Sequence, residues 1–441
     1  MSDIAKVPPD ERPENRHSPL AVHWLGAGLS STPGIVRLAN SVRSLSVWDR
    51  DLERARNAVR AARDAHPNSR ARAEALGWKR MRSAVRAGDV IVSMLPGEYH
   101  ARVARLCVDR GAHFVCSSYL TRPVEELHRE GVRKGLCLVN EVGLDPGIDH
   151  LFAHDLFDRY RESAVFSPDH RLSFRSYCGG LPQVLDAFRY RFSWSPAGVL
   201  KALRAPARWI DGAEVRQSDK PWQTIRETAV PVASGGMETF EAYPNRDSLP
   251  FRQRYGLDPS WNVDEFVRGT LRPHGWSDAW RGVFAELDAL DALPSELADA
   301  RLHALSDDLW TRHACSPGEA DRVVLSVELE VRTSEGQPLW HKRLWLDERG
   351  DETATAMARL VSWTVSLAVE DVIHGRTPSG VQTTPAGQTD VTRWIEQLET
   401  LGVRSRVTHG TNSIDRCVAL QRGVRTLFAP RERRSGASAI R

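Results

Sequence analysis

The sequence predicts an α/β protein with a doubly wound parallel sheet and an inserted α+β domain. In the first third of the chain, short apolar runs alternate with polar, helix-like segments, which is typical of right-handed βαβ units. After Asp149 the pattern changes to strand-like segments broken by Gly and Pro, followed by a helical stretch and a hairpin. The length of 441 residues suits two or three domains.

Five apolar runs predict the strands of the parallel sheet: 20–28, 44–49, 89–96, 113–119 and 136–144. The helices predicted between them begin near Pro33 and include 51–65, 100–110 and 123–134. Further along the chain we expect a strand at 171–181, mostly helix at 259–313, a hairpin at 323–347, and helices at 352–374 and 391–402.

A Gly-rich turn follows the first predicted strand and precedes a predicted helix. Gly26 permits a tight turn, Gly28 lets the backbone approach a pyrophosphate, and Ser31 stands where the usual fingerprint has its third Gly. Backbone N–H groups at the start of the helix can then hold the anion. The position of this turn favours a dinucleotide site over a purely structural turn.

An acid and a base end the second predicted strand. Asp49 takes the position of the acid that normally bonds the adenosine ribose hydroxyls and disfavours a 2′-phosphate. Arg50 beside it can bind that phosphate, or it can be a solvated charge at a helix start. Asp49 favours NAD and Arg50 favours NADP, so this argument leaves both cofactors open.

Composition excludes several classes of protein. The near balance of 60 basic and 57 acidic side chains argues against a nucleic-acid binder, and the hydrophobic content of 41% argues against general disorder. No apolar run reaches the roughly 18 residues of a membrane span.

The N-terminal segment lacks the apolar core of a signal peptide, and the Cys residues have no CxxC spacing, so we expect a cytoplasmic protein with reduced thiols. We expect no metal, because His150 and His154 have no third ligand nearby.

These patterns predict the domain boundaries. We expect a flexible tail at 1–18, a Rossmann-type dinucleotide-binding domain at 19–148, a substrate-binding and dimerisation region at 149–385 with a helical subdomain at about 256–315, a return segment to the first domain at 386–405, and a C-terminal tail at 406–441. The active site is expected at the carboxyl ends of the parallel strands.

Several segments are more particular than a generic α/β pattern. They are VIVSMLPGEYH (90–100), FVCSSYLT (114–121), NEVGLDPGIDH (140–150), SYCGGLP (176–182), FSWSPAGVL (192–200), YPNRDSLP (243–250) and GTLRPHGW (269–276). Together they resemble the saccharopine dehydrogenases of the NADP-dependent, L-glutamate-forming type, over about residues 20 to 400. The resemblance implies an oxidoreductase of lysine metabolism. It would transfer a hydride between NADP(H) and the imine of glutamate and 2-aminoadipate 6-semialdehyde.

The resemblance also implies roles for individual residues. The cofactor-binding residues would be Gly26, Gly28, Leu29, Ser30, Ser31, Asp49, Arg50, Leu95, Ser117, Ser118, Leu144, Asp145 and Pro146. The substrate would contact Ser118, Tyr119, Asp145, Asn245, Arg246 and Asp247. Arg50 falls on the phosphate-binding Arg of the family, which favours NADP, whereas Asp49 departs from the family and keeps NAD open.

The chemistry of saccharopine adds one more residue. Arg side chains bind carboxylates well, and Arg246 and Arg272 can supply them for the three carboxylates of saccharopine. We also expect an acid near its amine. Asp145 and Tyr119 are the candidates to manage the proton. Each has a plainer alternative: Asp145 can shape a turn, Tyr119 can pack, Arg246 can pair with Asp247, and Arg272 can be a surface charge.

Two other functions remain open at this stage. The segment at 183–190 is shorter than the resemblance would suggest, which favours a related imine reductase or dehydrogenase with another amino-acid or polyamine-precursor substrate. A non-catalytic cofactor-binding homologue is the other, because a fold alone does not establish function. The expected partner is a small amino-acid substrate, with no nucleic acid or membrane, and a homodimer is compatible with the sequence.

Overall fold

The computed structural model describes residues 21–193, 195–316 and 318–409. These residues divide into two compact units, and the chain passes between the units more than once. The first unit contains the described residues up to Cys116, Leu120–Val139 and Ala368–Gln382. The second contains Ser117–Tyr119, Asn140–Leu367 and the described residues from Thr383 onward.

The strands of the described residues are, in chain order, β1 (Ala21–Leu25), β2 (Ser44–Asp49), β3 (Arg72–Ala75), β4 (Val90–Ser93), β5 (His113–Cys116), β6 (Cys137–Val139), β7 (Arg171–Pro182), β8 (Ala207–Asp211), β9 (Glu214–Ser218), β10 (Arg226–Pro231), β11 (Met237–Pro244), β12 (Asn262–Pro273), β13 (Asp321–Arg332), β14 (Pro338–Arg349), β15 (Gly380–Gln382) and β16 (Arg406–His409).

The α-helices of the same residues are α1 (Thr32–Ser41), α2 (Leu52–Ala65), α3 (Trp78–Ala84), α4 (His100–Arg110), α5 (Arg122–Glu125), α6 (His128–Lys134), α7 (Ile148–Arg161), α8 (Pro196–Leu203), α9 (Pro250–Arg254), α10 (Trp276–Ala279), α11 (Arg281–Leu290), α12 (Ser295–His313), α13 (Ala356–Ile373) and α14 (Gln388–Thr400).

The first unit is built on a parallel sheet with the strand order β15-β6-β5-β4-β1-β2-β3. Val22 of β1 pairs with Val90 of β4, and Phe114 of β5 pairs with Leu138 of β6. All of β4 is buried, as expected for an inner parallel strand that is covered on both faces. The order from β3 to β6 is that of a Rossmann-type fold, so the predicted fold class is confirmed.

The second unit is built on a mixed sheet with the order β10-β11-β12-β7-β13-β14-β16, and β8 adds to β12. β12 and β7 run parallel, and the other neighbouring pairs run antiparallel. The predicted hairpin at 323–347 is confirmed as β13 and β14. Alternate residues of a strand share a face, so Arg268, Thr270 and Arg272 of β12 lie on one side of this sheet.

Two segments differ from their expected positions. The helical part expected from about 256 begins only at Trp276, because Asn262–Pro273 forms the long strand β12. Its sequence NVDEFVRGTLRP contains β-branched and aromatic residues that suit a sheet better than a helix. The return segment expected at 386–405 also differs, since Ala368–Gln382 belongs to the first unit and α14 belongs to the second.

The ends of the chain are described only in part. Residues 406–409 of the expected C-terminal tail form β16, which pairs with β14. The expected N-terminal tail at 1–18 and residues 410–441 lie outside the described residues, as does Cys417. Among the helices of the described residues, none combines the length and the apolar character that crossing a bilayer requires.

Candidate active site

The Gly-rich turn after β1 is shaped by two close contacts. Gly26 has φ +94°, and a Cβ there would lie 2.7 Å from the backbone oxygen of Met94, so only glycine fits. The Ser31 hydroxyl donates to the Gly26 oxygen at 2.8 Å and braces the turn where α1 begins. Beside Gly28 a Cβ would meet nothing within 4 Å. The backbone at Gly28 is therefore open to a ligand, which fits the approach of a pyrophosphate.

Asp49 braces the same turn from the end of β2. Its Oδ2 accepts from the Ala27 N–H at 2.7 Å, and its Oδ1 accepts from the Asp51 N–H at 2.8 Å. Both carboxylate oxygens thus have backbone partners, so a ribose is not needed to satisfy them. Arg50 is exposed beside it, and its guanidinium has no hydrogen bond or ion pair with another described residue. This arrangement favours a 2′-phosphate at Arg50 over a ribose at Asp49.

Replacing Arg50 by Ala is expected to raise the Kd of NADP(H) by roughly 10- to 100-fold, because a charge-assisted contact to phosphate is lost. The Kd of NAD(H) should change by less than about threefold. Titration of nicotinamide fluorescence measures both constants. Arg54→Ala is the control, because Arg54 lies on the adjacent helix and pairs with Asp51 at 3.5 Å. Equal losses for the two cofactors would contradict this role of Arg50.

The other expected cofactor residues lie on two loops. Leu95 follows β4 and packs against the buried core of the first unit. Ser117 and Ser118 follow β5 but belong to the second unit. There the Ser118 oxygen accepts from the Glu141 N–H at 3.0 Å, and the Ser117 Cβ lies 3.0 Å from where a Cβ of Gly143 would be. The two serines therefore lie against the segment that leads into the GLDPG turn.

The GLDPG turn at 143–147 is held closed by its own backbone. Gly147 has φ +150°, and a Cβ there would lie 2.0 Å from the Gly143 oxygen. The Gly143 N–H donates to the Pro146 oxygen at 2.8 Å, and the Asp145–Pro146 peptide is cis. Leu144 and Pro146 are buried. The turn thus holds Asp145 at a defined place immediately before α7.

Asp145 lies in a cluster of hydrogen-bonded charged groups within the second unit. Its Oδ1 accepts from the Tyr119 hydroxyl at 3.0 Å and from Nη2 of Arg268 at 2.7 Å. The same Nη2 donates to Oδ2 of Asp149 at 2.5 Å, and it lies 3.2 Å from the Tyr119 oxygen. Residues far apart in the sequence therefore converge on one carboxylate.

Burial sets the acid–base properties of this cluster. It raises the pKa of Asp145 to about 6, and the nearby charge of Asp149 adds to the rise while Arg268 opposes it. Burial also raises the pKa of Tyr119 well above its usual value. About 14% of the Asp145 side chain remains exposed. Asp145 can therefore exchange a proton near neutral pH, whereas Tyr119 acts there as a neutral donor.

The expected substrate residues at 245–247 form a turn beside this cluster. The Asn245 N–H donates to the Arg268 backbone oxygen at 2.8 Å. Arg246 is exposed with φ +57°, and its guanidinium lies 5.1 Å from the centre of the Tyr119 ring. Asp247 pairs with Arg208 at 3.0 Å rather than with Arg246. The Arg246 head group is thus available to a ligand, while Asp247 shapes the turn.

Arg272 is a buried charge and not a surface one. It is 5% exposed, and its guanidinium lies 5.0 Å from the ring centre of Tyr190, 5.2 Å from that of Trp276 and 5.5 Å from that of Tyr243. One nitrogen donates to the Leu271 oxygen at 3.1 Å, and Nε has no partner among the described residues. A carboxylate could accept a hydrogen bond from this nitrogen.

Sequence reasoning missed Arg268 and gave Asp149 no role. Arg268 and Arg272 stand four residues apart, which puts both on one face of a strand, and this spacing was the signal in the sequence. It did not show that they are buried, because charged residues seldom are. Neither residue type nor spacing shows that Arg268 reaches Asp145, because that contact depends on how the sheet is assembled. Among the described residues, His, Cys, Asp and Glu form no group suited to a metal ion.

Comparison with known proteins matches two family models to this chain. The saccharopine dehydrogenase NADP binding domain matches residues 22–139, and the saccharopine dehydrogenase C-terminal domain matches residues 143–403. Saccharopine dehydrogenase [NADP(+), L-glutamate-forming] of Schizosaccharomyces pombe is 26% identical, over 80% of this chain and 90% of the relative.

Two further matches differ in how much they cover. The mitochondrial alpha-aminoadipic semialdehyde synthase of Mus musculus is 32% identical over 57% of this chain, but the matched part is only 27% of that longer protein. A solved structure of apo saccharopine dehydrogenase (L-Glu forming) from Saccharomyces cerevisiae has a TM-score of 0.69 and 22% identity, and the match covers 89% of this chain and 100% of that chain. The structural likeness establishes a shared fold.

Proposed function

Because this chain belongs to the saccharopine dehydrogenase family, we propose that it oxidises the CH–NH bond of saccharopine with NADP+, and that it can run the reaction in reverse. In the oxidative direction saccharopine, NADP+ and water give glutamate, 2-aminoadipate 6-semialdehyde, NADPH and a proton. The name of the Schizosaccharomyces pombe relative supports this reaction, and we propose that the reaction belongs to lysine metabolism. The observation that carries the proposal furthest is the buried Asp145 carboxyl between Tyr119 and Arg268.

The chain provides a binding site that fits NADP(H). The backbone at Gly28, where a Cβ would meet nothing within 4 Å, would approach the pyrophosphate, and Arg50 would hold the 2′-phosphate. When bound, the nicotinamide accepts or supplies the hydride. The protein supplies the remaining requirements, which are orientation of the substrate and control of its protons.

Asp145 is proposed to manage those protons. Oxidation takes a proton from the secondary amine, and hydrolysis of the resulting imine requires a proton to move from the attacking water to the leaving amine. A carboxyl with a pKa of about 6 is able both to accept and to return a proton near neutral pH. Tyr119 donates to the same carboxyl and is proposed to hold it in place.

Two arginines are proposed to bind the substrate carboxylates. Arg246 has an exposed guanidinium beside Tyr119, and Arg272 has a buried guanidinium with an unpartnered Nε. Both can form the paired hydrogen bonds that a carboxylate accepts. Saccharopine carries three carboxylates, so a site with two arginines would recognise it more strongly than a monocarboxylate.

A second candidate is a related dehydrogenase with another amine substrate. It is favoured by the short segment at 183–190, where Val184 and Leu185 are 77% and 49% exposed. The segment leads to Tyr190, whose ring centre lies 5.0 Å from the Arg272 guanidinium, so its apolar side chains are candidates to contact a substrate with an apolar group in place of a carboxylate. A cytoplasmic location and a homodimer stay predictions from the sequence.

The experiment is a steady-state assay of NADPH formation from saccharopine, run beside N-substituted amino acids that lack one carboxylate. The proposal expects turnover with saccharopine. For Arg246→Ala it expects a KM for saccharopine raised by roughly 10- to 100-fold and an unchanged Kd for NADPH. Arg281→Ala is the control, because Arg281 is exposed and pairs only with the neighbouring Asp278 among the described residues. Turnover confined to the other amines would favour the second candidate.

A further inference from the structure

Arg268 is the residue that links the parts of the proposed site. Its side chain is 3% exposed, and its Nη2 contacts Asp145, Asp149 and Tyr119. Its backbone oxygen accepts from the Asn245 N–H at 2.8 Å, and its backbone N–H donates to the Ser248 hydroxyl at 3.0 Å. One strand residue therefore holds both the Asp145 carboxyl and the turn that carries Arg246.

We infer that Arg268 and Asp149 are a positioning pair that fixes the orientation and the charge of Asp145 without contacting the substrate. This inference rests on the proposed function and deepens it. Asp149 is fully buried, and its Oδ1 accepts from the Gly147 N–H at 2.7 Å, so it ties Arg268 to the GLDPG turn itself. The Phe251 ring centre lies 4.1 Å from the Arg268 guanidinium and closes it off on one face.

The two members of the pair act on Asp145 in opposite directions. A cation beside a carboxyl favours its ionised form, and a second carboxylate disfavours it. The charged and titratable groups that act on Asp145 in the described structure include Tyr119, Asp149, His150, Cys178, Tyr255 and Arg268. Of these, Arg268 is the permanent cation and Asp149 is the nearby carboxylate. Removing Arg268 should therefore raise the pH at which Asp145 titrates, and removing Asp149 should lower it.

The test uses the full chain and two single variants, Arg268→Met and Asp149→Asn. The pH profile of kcat/KM for saccharopine is measured for each, together with saccharopine binding by calorimetry without cofactor. In the pH profile, the limb that follows the titration of Asp145 should move to higher pH by about one unit in Arg268→Met. In Asp149→Asn it should move to lower pH by a similar amount. Both should lower kcat/KM by roughly 10-fold or more. Arg268→Lys keeps a positive charge, so its upward shift should be smaller than that of Arg268→Met.

Folding is controlled in two ways. The double variant Arg268→Met/Asp149→Asn leaves only the Asp145 carboxyl in the cluster, whereas Arg268→Met leaves two carboxyls without their cation. The double variant therefore serves if Arg268→Met does not fold. Arg322→Met and Asp347→Asn form a matched control, because these residues are a hydrogen-bonded ion pair of the same sheet. That control should lower thermal stability without moving the pH profile.

The outcomes separate this inference from the proposed function. No turnover of saccharopine by the unchanged protein would overturn both. Turnover by the unchanged protein, with pH limbs that do not move or that move in the same direction in the two variants, would overturn the positioning pair alone. Opposite shifts, with the double variant lying between them, would support it.

Discussion

Replacing Asp145 by Asn is expected to lower kcat/KM for saccharopine oxidation by roughly 10²- to 10⁴-fold, the usual contribution of a general acid–base group. The amide keeps the size of the side chain but cannot accept the amine proton. In the unchanged protein, kcat/KM should rise with pH through about 6, because the carboxylate form is the base. That limb should disappear in Asp145→Asn, and a pH series of initial rates measures both effects.

The same substitution should not weaken the fold at neutral pH. The pKa of Asp145 is higher in the folded protein than its usual 3.8, so this group favours folding only while it is protonated. Its contribution is lost as the pH rises towards 6, and above that the buried carboxylate opposes folding. Urea unfolding at pH 7 should therefore give an equal or higher free energy for Asp145→Asn. A lost limb with a much less stable protein would instead indicate a structural role. Asp278→Asn, at an exposed carboxylate, is the control.

Replacing Arg272 by Met is expected to raise KM and Kd for saccharopine by roughly 10- to 100-fold, because a charged hydrogen bond to a carboxylate is lost. Met fills much of the space of the Arg stem among Tyr190, Tyr243 and Trp276, so packing is largely kept. Calorimetric titration with saccharopine measures the loss, and the Kd for NADPH should stay unchanged.

The matched control for Arg272 is Arg322→Met, which also removes a guanidinium from the second unit. Arg322 pairs with Asp347 and Glu238, so its loss should reduce thermal stability and leave saccharopine binding intact. If Arg272→Met bound saccharopine normally, the aromatic surroundings of Arg272 would mark it as a packing residue.

The sequence predicted the parallel sheet well because its inner strands carry their signal locally. Strands such as β4 are buried on both faces and therefore appear as continuous apolar runs. β12 was hidden within a segment expected to be helical, because the helices that follow it dominate the pattern and no short-range signal marks a strand's sheet partners. Local patterns thus located the elements of the first unit better than those of the second.

The site was predictable to a different degree. The resemblance pointed to Asp145 and Tyr119, and the structure brings their side chains within 3.0 Å. It did not point to Arg268, which lies 123 residues after Asp145 in the sequence and reaches it only through the mixed sheet. The burial of Arg272 was also unpredicted, since a charge in a short motif gives no measure of the rings around it. Tertiary contacts alone define these two environments.

The closed backbone of the GLDPG turn limits how this protein could acquire new substrates. A side chain at Gly147 would collide with the backbone oxygen of Gly143, and a Cβ at Gly143 would lie only 3.0 Å from the Ser117 Cβ and 3.1 Å from the Pro146 oxygen. Asp145 lies between these two glycines. Random mutagenesis should therefore recover few functional variants at these two glycines. The exposed head group of Arg246, and Val184 and Leu185 with their open surfaces, leave more room for change. Directed evolution of this scaffold would thus vary these exposed groups while the GLDPG turn stays constant.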